Sequence, residues 1–371
     1  TQWEWQLLSS TGNSIAFPGG EHGRVARPKL YTITIAVTGR CNAACSYCHY
    51  YRDNKRKEVA RDISDELFDT YMEFVARWLD TIPGQTTYRF SGGEPLVLGD
   101  RLFSLADRAY ARTSVKPFIL SSGKALSEAW VQKAARSSIS HVFVSIENPI
   151  HPARGAPNPK KVAKAIRTLD SPSLPIVPGV CVVPNNCFQH LHEICSWFYE
   201  ELGRIPVISE INYSSYTSPT EAEWNALPVN LERVIRDFHD KTPLNLFCGV
   251  SPELAYGTTD PYIVLLGLDN MDGLNRENIR KEFATIAAKL IARNSIELRC
   301  PNTRCNWWAF CGNTQDYWQG DRNNPREKKL ADYCRLKRLV NDAYYRVLVD
   351  ADHKPSTLNI DALNYFSACN A

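Results

Sequence analysis

The chain has 371 residues, and its 43 Lys and Arg residues nearly balance its 40 Asp and Glu residues, leaving a net charge of +3. This balance gives no support for nucleic-acid binding, which requires a marked excess of positive charge on one surface. No apolar stretch approaches the roughly 20 residues of a membrane-spanning helix, and the first residues lack the layout of a signal peptide. We therefore expect a cytoplasmic protein, whose 12 cysteines favour metal binding over disulfides.

The length suits one large domain of roughly 200 to 250 residues with a smaller domain appended. Residues 1–30 form a leader segment that contains Gly and Pro but no recognisable core element. Residues 31–220 alternate between apolar, β-branched runs and amphipathic runs. We expect this alternation to stop beyond residue 220, so that residues 221–371 form the appended domain and C-terminal helices.

Strands are predicted at residues 31–37, 86–90, 116–120, 141–146, 175–182 and 206–213. Helices are predicted at residues 64–79, 100–111, 126–136, 159–169 and 188–202. Such an alternation predicts a parallel sheet with right-handed crossovers. Ser64 is the expected N-cap of the first helix, whose apolar face consists of Leu67, Tyr71, Phe74, Val75 and Leu79. Beyond residue 220, helices are predicted near 230–239 and 276–293, with an apolar run at 261–268 between them.

Three cysteines follow the first predicted strand in the run T-G-R-C-N-A-A-C-S-Y-C, which ends at Cys48. Cys41, Cys45 and Cys48 are spaced so that one loop can wrap three thiolates around a single iron–sulfur centre. Three cysteines bind only three irons of a cubane, so one iron is left open for another ligand. A zinc knuckle is the alternative, although a closed zinc site requires four ligands.

A second motif, F-S-G-G-E-P-L, follows the strand predicted at residues 86–90. Paired glycines at Gly92 and Gly93 let the backbone approach a ligand closely, because neither residue has a side chain in the way. The Glu94 carboxylate can accept a hydrogen bond from an ammonium group.

The cysteine triplet, with the aromatic Tyr47 before its third member, and the G-G-E-P element together resemble the radical S-adenosylmethionine (SAM) superfamily. The resemblance implies an α/β fold, a partial (β/α)6 TIM-like barrel with active-site residues at the carboxyl ends of the strands. It also implies a [4Fe-4S] cluster whose open iron binds SAM. Reductive cleavage then yields methionine and a 5′-deoxyadenosyl radical, with flavodoxin or ferredoxin as the electron donor.

The resemblance extends to V-S-I-E-N-P-I-H-P-A-R-G after the fourth predicted strand. It implies that Ser145 contacts SAM and that Arg154 clamps the SAM carboxylate, which a guanidinium group fits geometrically. Glu147 stands where the family usually has Asp. A polar turn at a barrel rim is the alternative for this segment. Ser122, at the end of the third strand, and Val182, near the adenine at the end of the fifth, complete the expected cofactor contacts.

The sixth predicted strand leads into polar and aromatic residues that we expect at the barrel mouth. Glu210, Asn212 and Tyr216 are candidate substrate contacts, and ordinary rim residues are the alternative. Arg154, Glu210 and Tyr216 are our candidate catalytic residues.

Four more cysteines, Cys300, Cys305, Cys311 and Cys334, lie near the C-terminus with four, five and 22 residues between them. Four thiolates are a full ligand set for one closed cluster, and a structural zinc site is the alternative. The region resembles the SPASM extension, which carries auxiliary clusters on peptide-maturing radical SAM enzymes. Gln315 takes the place of one family cysteine, so we expect one auxiliary [4Fe-4S] cluster.

Two enzyme functions and one non-catalytic role follow from these motifs. The SPASM resemblance implies oxidative modification, by cross-linking or dehydrogenation, of a side chain in a ribosomally synthesised precursor peptide. A dehydrogenase or epimerase that acts on a small aminosugar or cyclitol is the alternative. A non-catalytic iron–sulfur scaffold is the third, and the G-G-E-P element argues against it. Residues 1–30 leave no room for the leader-binding module of many relatives, which weakens the peptide function without excluding it, since a separate leader-binding protein can present the peptide.

Overall fold

The computed structural model describes residues 30–46, 48, 60–82, 85–146, 148–182, 187–211, 220–242, 244, 262–268, 275–294, 298–299 and 314–315, and the pairs 335–336, 339–340, 342–343 and 346–347. Residues 1–29 of the predicted leader segment lie outside this set, and Leu30 begins the first strand. None of the described helices combines the length and the apolar composition needed to cross a bilayer.

One parallel sheet organises the described part of the chain. Its strands are β1 (Leu30–Thr38), β2 (Gln85–Gly92), β3 (Phe118–Ser121), β4 (Val142–Ser145), β5 (Ile176–Val182), β6 (Val207–Ile211) and β7 (Tyr262–Leu266). They lie in the order β6-β5-β4-β3-β2-β1-β7, and every neighbouring pair is parallel. The run from β1 to β6 follows chain order, as a partial β/α barrel requires, and confirms the predicted fold class. A separate parallel pair joins β8 (Leu298–Arg299) to β9 (Thr314–Gln315).

Helices connect consecutive strands. They are α1 (Asp65–Thr81), α2 (Asp100–Thr113), α3 (Glu128–Ala134), α4 (Pro159–Leu169), α5 (Leu191–Leu202), α6 (Glu221–Phe238) and α7 (Arg276–Asn294), and a 3-10 turn covers Pro95–Leu98. Side chains cap several of these helices, because the first N–H groups of a helix have no partner within it. Ser64 accepts from the N–H of Leu67 in this way, which confirms the predicted start of α1.

The core is formed by the sheet and the helices that cover it. Ile33, Ile35 and Val37 of β1 are fully buried, as expected for a parallel strand covered on both faces. Tyr71, Phe74 and Val75, on the predicted apolar face of α1, are also fully buried, and Leu67 and Leu79 pack against the core as partly buried side chains.

The prediction that the alternation stops at residue 220 is wrong. β7 pairs with the free side of β1, from Tyr31 opposite Tyr262 to Ile35 opposite Leu266. α7 then packs on α1, where the ring centroids of Phe283 and Phe74 are 5.6 Å apart. The predicted domain boundary at this point stays a prediction.

The predicted start of α6 is also wrong. The helix begins at Glu221 and contains Pro228 in its interior. Proline lacks an N–H and usually ends a helix, so the sequence favours a start after this residue. Thr220 and Glu223 form a capping box at the true start, and Trp224, Leu227 and Leu231 bury one face of the helix. These contacts hold the first turns in place although Pro228 interrupts the hydrogen bonding.

Candidate active site

The candidate site lies at the carboxyl edge of the sheet. Because neighbouring parallel strands end on the same side, β1 to β4 bring four segments of the chain to one edge. These are the cysteine loop, which we define as residues 39–61, the G-G-E-P element after β2, the two serines Ser121 and Ser122 at β3, and the segment from Ser145 to Gly155 after β4.

The base of the cysteine loop is closed by hydrogen bonds to Asp62. The hydroxyl of Thr38 donates to Asp62 Oδ1 at 2.7 Å, and the Arg40 guanidinium donates to Oδ1 and Oδ2 at 2.9 and 2.8 Å. The Gly39 N–H donates to the Arg61 carbonyl at 2.7 Å. Burial by itself raises the pKa of Asp62, but the hydrogen bonds from Arg40 and Thr38 outweigh it and hold the pKa below its ordinary value. We call the hydrogen bonds of Asp62 with Thr38 and Arg40 the Asp62 clamp. Sequence reasoning missed it because Arg40 and Asp62 are 22 positions apart.

The paired glycines lie directly against the start of the cysteine loop. The Gly93 N–H donates to the Thr38 carbonyl at 2.7 Å, and the Glu94 N–H donates to the Arg40 carbonyl at 2.8 Å. A Cβ added to Gly92 would lie 2.1 Å from the Thr38 oxygen, and one added to Gly93 would lie 2.3 Å from the Arg40 oxygen. The close backbone approach that the motif predicts therefore occurs here toward the chain itself, and the expected contact with a bound ligand stays a prediction.

The segment after β4 holds the other side of the cysteine loop. The Ser46 N–H donates to the Arg154 carbonyl at 2.9 Å, and the Ala44 N–H donates to the Gly155 carbonyl at 3.2 Å. The Cys45 thiol lies 3.9 Å from the same Gly155 oxygen. Gly155 has a φ of +80°, and a Cβ there would lie 2.1 Å from the Ala44 oxygen. Only glycine fits this position without displacing the loop.

The three cysteines of the loop are half-buried. The Ala43 N–H donates to the Cys41 sulfur at 3.3 Å, and the Cys48 N–H donates to the Cys45 carbonyl at 3.1 Å. Among the residues that the structure describes, no three Cys, His, Asp or Glu side chains form a group able to hold a metal ion. The donor chemistry nevertheless fits an iron–sulfur cluster, because the three thiols lie within residues 41–48 and the described backbone at residues 39–46 is hydrogen-bonded to Arg61, to Glu94 and to the segment after β4. Ligation by Cys41, Cys45 and Cys48 stays a prediction.

The Glu94 carboxylate is fully buried and joins the end of β2 to the end of β3. Its Oε1 accepts from the Leu96 N–H at 3.2 Å and from the Ser121 hydroxyl at 2.8 Å. Its Oε2 accepts from the Ser122 N–H at 2.9 Å and from the Ser122 hydroxyl. Sequence reasoning missed Ser121, because the predicted third strand ended one residue before it. The only signal was its position beside Ser122 in S-S-G.

The remaining predicted residues are divided between described and undescribed parts of the chain. Ser145 is half-buried at the end of β4. Asn148, a residue that sequence reasoning missed, is buried and accepts from the N–H groups of Ile150 and His151 at 3.0 Å each, which turns the chain after β4. Eight predicted residues lie outside the described part of the chain, namely Tyr47, Glu147, Asn212, Tyr216, Cys300, Cys305, Cys311 and Cys334. Of Val182 and Glu210, at the ends of β5 and β6, only the backbone is described.

This part of the chain is similar to known proteins. A family model described as the radical SAM superfamily matches residues 35–198, which run from β1 to α5. The cysteine-type anaerobic sulfatase-maturating enzyme of Clostridium perfringens (strain 13 / Type A) is 21% identical over 262 residues, which cover 67% of this chain and 70% of the relative.

Solved structures show the same fold. Native anSMEcpe with bound AdoMet superposes with a TM-score of 0.57 at 15% identity, covering 84% of this chain and 99% of that chain. Native anSMEcpe with bound AdoMet and Cp18Cys peptide gives a TM-score of 0.56 at 15% identity, covering 85% and 99%. At this level of identity the likeness extends to the fold alone.

Replacement of Gly155 by alanine tests how the cysteine loop is held. Gly155→Ala is expected to lower the free energy of unfolding by about 2–4 kcal/mol, through backbone strain and the clash with Ala44, and to lower the iron bound after anaerobic reconstitution. Gly203→Ala is the matched control, since Gly203 has a φ of +68° but open space around its Cβ position. The control is expected to lose only about 1 kcal/mol and no iron. Equal iron loss in both variants would contradict the role of Gly155.

The Asp62 clamp is expected to make stability depend on pH. Because its pKa is lowered in the folded state, the ionised carboxylate stabilises the fold above its unfolded pKa of about 3.9, and this contribution disappears as the pH falls through the lower folded value. Urea unfolding should show Asp62→Asn about 1 kcal/mol less stable than the wild type at pH 7. The difference should shrink below pH 4. Asp80→Asn, at an exposed position on α1, should change little at either pH, and a constant difference for Asp62→Asn would refute the clamp.

Proposed function

Because this chain belongs to the radical SAM superfamily and is a radical SAM enzyme, we propose that Cys41, Cys45 and Cys48 hold its [4Fe-4S] cluster and that it oxidises a side chain of a ribosomally synthesised peptide. The observation that carries the cluster assignment is the cysteine loop itself. Its described backbone is hydrogen-bonded to Glu94 on the β2 side, through the Arg40 carbonyl, and to Arg154 and Gly155 on the β4 side. The carboxyl edge of the sheet is where active sites of such barrels are found.

When cluster and SAM are bound, they supply a 5′-deoxyadenosyl radical able to take a hydrogen atom from the substrate. The chain's own residues bind and orient. Glu94 would accept a hydrogen bond from the amino group of SAM, and Arg154 would bind its carboxylate. Further SAM contacts are proposed for Tyr47, Gly92, Gly93, Ser122, Ser145 and Val182.

A peptide substrate is supported by the known proteins that this chain resembles. The Clostridium perfringens relative is by its name an enzyme that matures a sulfatase, and anSMEcpe, with which the fold is shared, has been solved with the Cp18Cys peptide. We propose Glu210 and Tyr216 as substrate contacts, since Glu210 lies at the carboxyl end of β6 and Tyr216 follows it in the sequence. Flavodoxin or ferredoxin would supply the electron in a reducing cytoplasm.

The auxiliary [4Fe-4S] cluster is assigned to Cys300, Cys305, Cys311 and Cys334. Two described features support it. Pairing of β8 with β9 brings together the two ends of the segment 300–313, which carries three of these cysteines. The residue after Cys334, Arg335, donates to both carboxylate oxygens of Glu221 at 2.9 and 3.0 Å, at the start of α6. Because α6 follows β6, its first turn lies at the carboxyl edge of the sheet.

Iron content and SAM cleavage test the two cluster assignments. The intact chain, reconstituted anaerobically, should bind about eight irons, for two cubanes, and should release 5′-deoxyadenosine when reduced with SAM. The triple variant Cys41→Ala, Cys45→Ala, Cys48→Ala should keep about half of this iron and release none of the product. Ser46→Ala, an exposed position in the same loop, should behave as the wild type. Four irons with one zinc in the intact chain would contradict the auxiliary cluster.

Mass spectrometry of a peptide tests the substrate class. The chain should be co-expressed with short precursor peptides encoded near its own gene, and a modified peptide should be lighter by two hydrogens, as a cross-link or a dehydrogenation requires. The triple cysteine variant is the control and should leave the peptide mass unchanged. An unchanged peptide, together with consumption of a small aminosugar or cyclitol, would reject the peptide assignment in favour of a small-molecule dehydrogenase or epimerase.

A further inference from the structure

Positive charge is concentrated in the part of the chain that follows β4. Residues 148–169, which run from the segment after β4 to the end of α4, contain five Lys and Arg residues and no Asp or Glu. The whole chain, in contrast, has 43 Lys and Arg residues against 40 Asp and Glu residues. This segment is therefore much more basic than the protein as a whole.

The lysines of α4 lie on its exposed side. The buried side chains of this helix are all apolar, whereas Lys160, Lys161 and Lys164 are exposed. We call these three lysines the α4 basic face. None of them pairs with an Asp or Glu in the part of the chain that the structure describes, although Arg167 of the same helix pairs with Glu201. Lys160 and Lys164 are neighbours on the helix surface and repel each other, so these charges do not stabilise the helix.

The first turn of α4 differs from those of the other described α-helices. Each of the other six has an Asp or Glu in this turn, where a negative charge interacts favourably with the helix dipole. The first turn of α4 has no acidic residue and carries Lys160 and Lys161 instead. Because cations at this end weaken a helix, helix stability does not explain their presence.

The α4 basic face is joined to the cysteine loop by a short stretch of chain that is fixed at both ends. The Gly155 carbonyl accepts from the Ala44 N–H at 3.2 Å, and the Asn158 side chain caps α4 by accepting from the Lys161 N–H at 3.1 Å. Lys160 is only five positions beyond Gly155, so their Cα atoms are at most about 18 Å apart. A protein bound to this face would therefore lie close to the cysteine loop.

A further exposed lysine contacts the cysteine loop directly. Lys124, which follows β3, donates from its ammonium group to the Asn42 carbonyl, and it pairs with no Asp or Glu among the described residues. Arg40, at the start of the loop, differs because its guanidinium group is hydrogen-bonded to Asp62. Positive charge without an acidic partner in the described structure is thus found at Lys124 as well as on the α4 basic face.

We propose that Lys124 and the α4 basic face form the docking surface for the protein that delivers the electron, a small one-electron carrier with an acidic surface. This inference rests on the proposed function, because the acceptor of the electron is the cluster proposed at Cys41, Cys45 and Cys48. One electron passes from the reduced carrier to that acceptor, and no atom or proton is transferred. Complementary charges speed the encounter of two proteins and orient them, so the carrier meets this chain beside the cysteine loop.

Binding of flavodoxin to the cluster-loaded protein under anaerobic conditions tests this surface. Flavodoxin is the probe because it is an acidic carrier of single electrons. The α4 variant, Lys160→Gln, Lys161→Gln, Lys164→Gln, should bind it about tenfold more weakly at low ionic strength, roughly a factor of two for each exposed charge. Addition of Lys124→Gln should weaken binding about twofold further. In about 1 M salt the differences should disappear, since the Debye length is then only about 3 Å.

The matched control neutralises three exposed cations at the opposite edge of the sheet. Lys116→Gln, Arg136→Gln, Lys241→Gln gives the same net charge as the α4 variant, and each of these positions follows a helix that starts at the carboxyl edge. The control variant should bind flavodoxin as the wild type does. Photoreduced deazariboflavin, a small uncharged reductant that needs no docking surface, should reduce the cluster at the same rate in the wild type and in all variants.

Several results would overturn the inference. Equal weakening in the control variant would show a general effect of net charge, and unchanged binding in the α4 variant would place the carrier elsewhere. If the precursor peptide loses affinity in the α4 variant and flavodoxin does not, the surface belongs to the substrate. In each case a wild type that releases 5′-deoxyadenosine with deazariboflavin and SAM leaves the proposed function standing. A wild type that releases none would refute the proposed function and, with it, this inference.

Discussion

Close packing of one backbone segment against two others is the constraint on which the candidate site depends. The cysteine loop lies between the G-G-E-P element and the segment after β4, and on each side a glycine permits a distance that a Cβ would forbid. At Gly93 that atom would lie 2.3 Å from the Arg40 oxygen, and at Gly155 it would lie 2.1 Å from the Ala44 oxygen. Backbone hydrogen bonds fix both contacts. The described residues 39–46, which carry Cys41 and Cys45, are thereby held in one position relative to the edge of the sheet.

Charge burial is the second constraint, and it connects the fold to the proposed chemistry. The Glu94 carboxylate joins the ends of β2 and β3 and is fully buried, which is tolerated because the chain supplies donors to both of its oxygens. Asp62 serves the base of the cysteine loop in a similar way, through Arg40 and Thr38. Glu94 therefore maintains the architecture and is also a proposed cofactor contact, so substitutions there are expected to alter folding and binding together.

The fold was predictable where local signals agree. Ser64 caps α1 and periodic apolar residues define its buried face, so both its position and its orientation follow from neighbours in the sequence. Two elements escaped this reasoning. The first turns of α6 were not predicted, because proline is unusual inside a helix and Pro228 lies within this one. Tertiary contacts stabilise these turns. β7 is an apolar run without a clear strand pattern, and its identity follows from pairing with β1, more than 200 positions earlier in the chain.

The candidate site likewise has features that could be predicted from the sequence and features that could not. Its motifs can be read from the sequence, because each of them lies within a few residues. They are the spacing of Cys41, Cys45 and Cys48, the paired glycines and Glu94. Their partners are not, since Asp62 lies 22 positions from Arg40 and Ser121 lies 27 positions from Glu94. Spacing and periodicity along the chain determined which residues form the motifs and which strands these motifs follow. Only the tertiary structure decided which groups meet, because hydrogen bonding and burial act through space between strand ends that the sheet brings side by side.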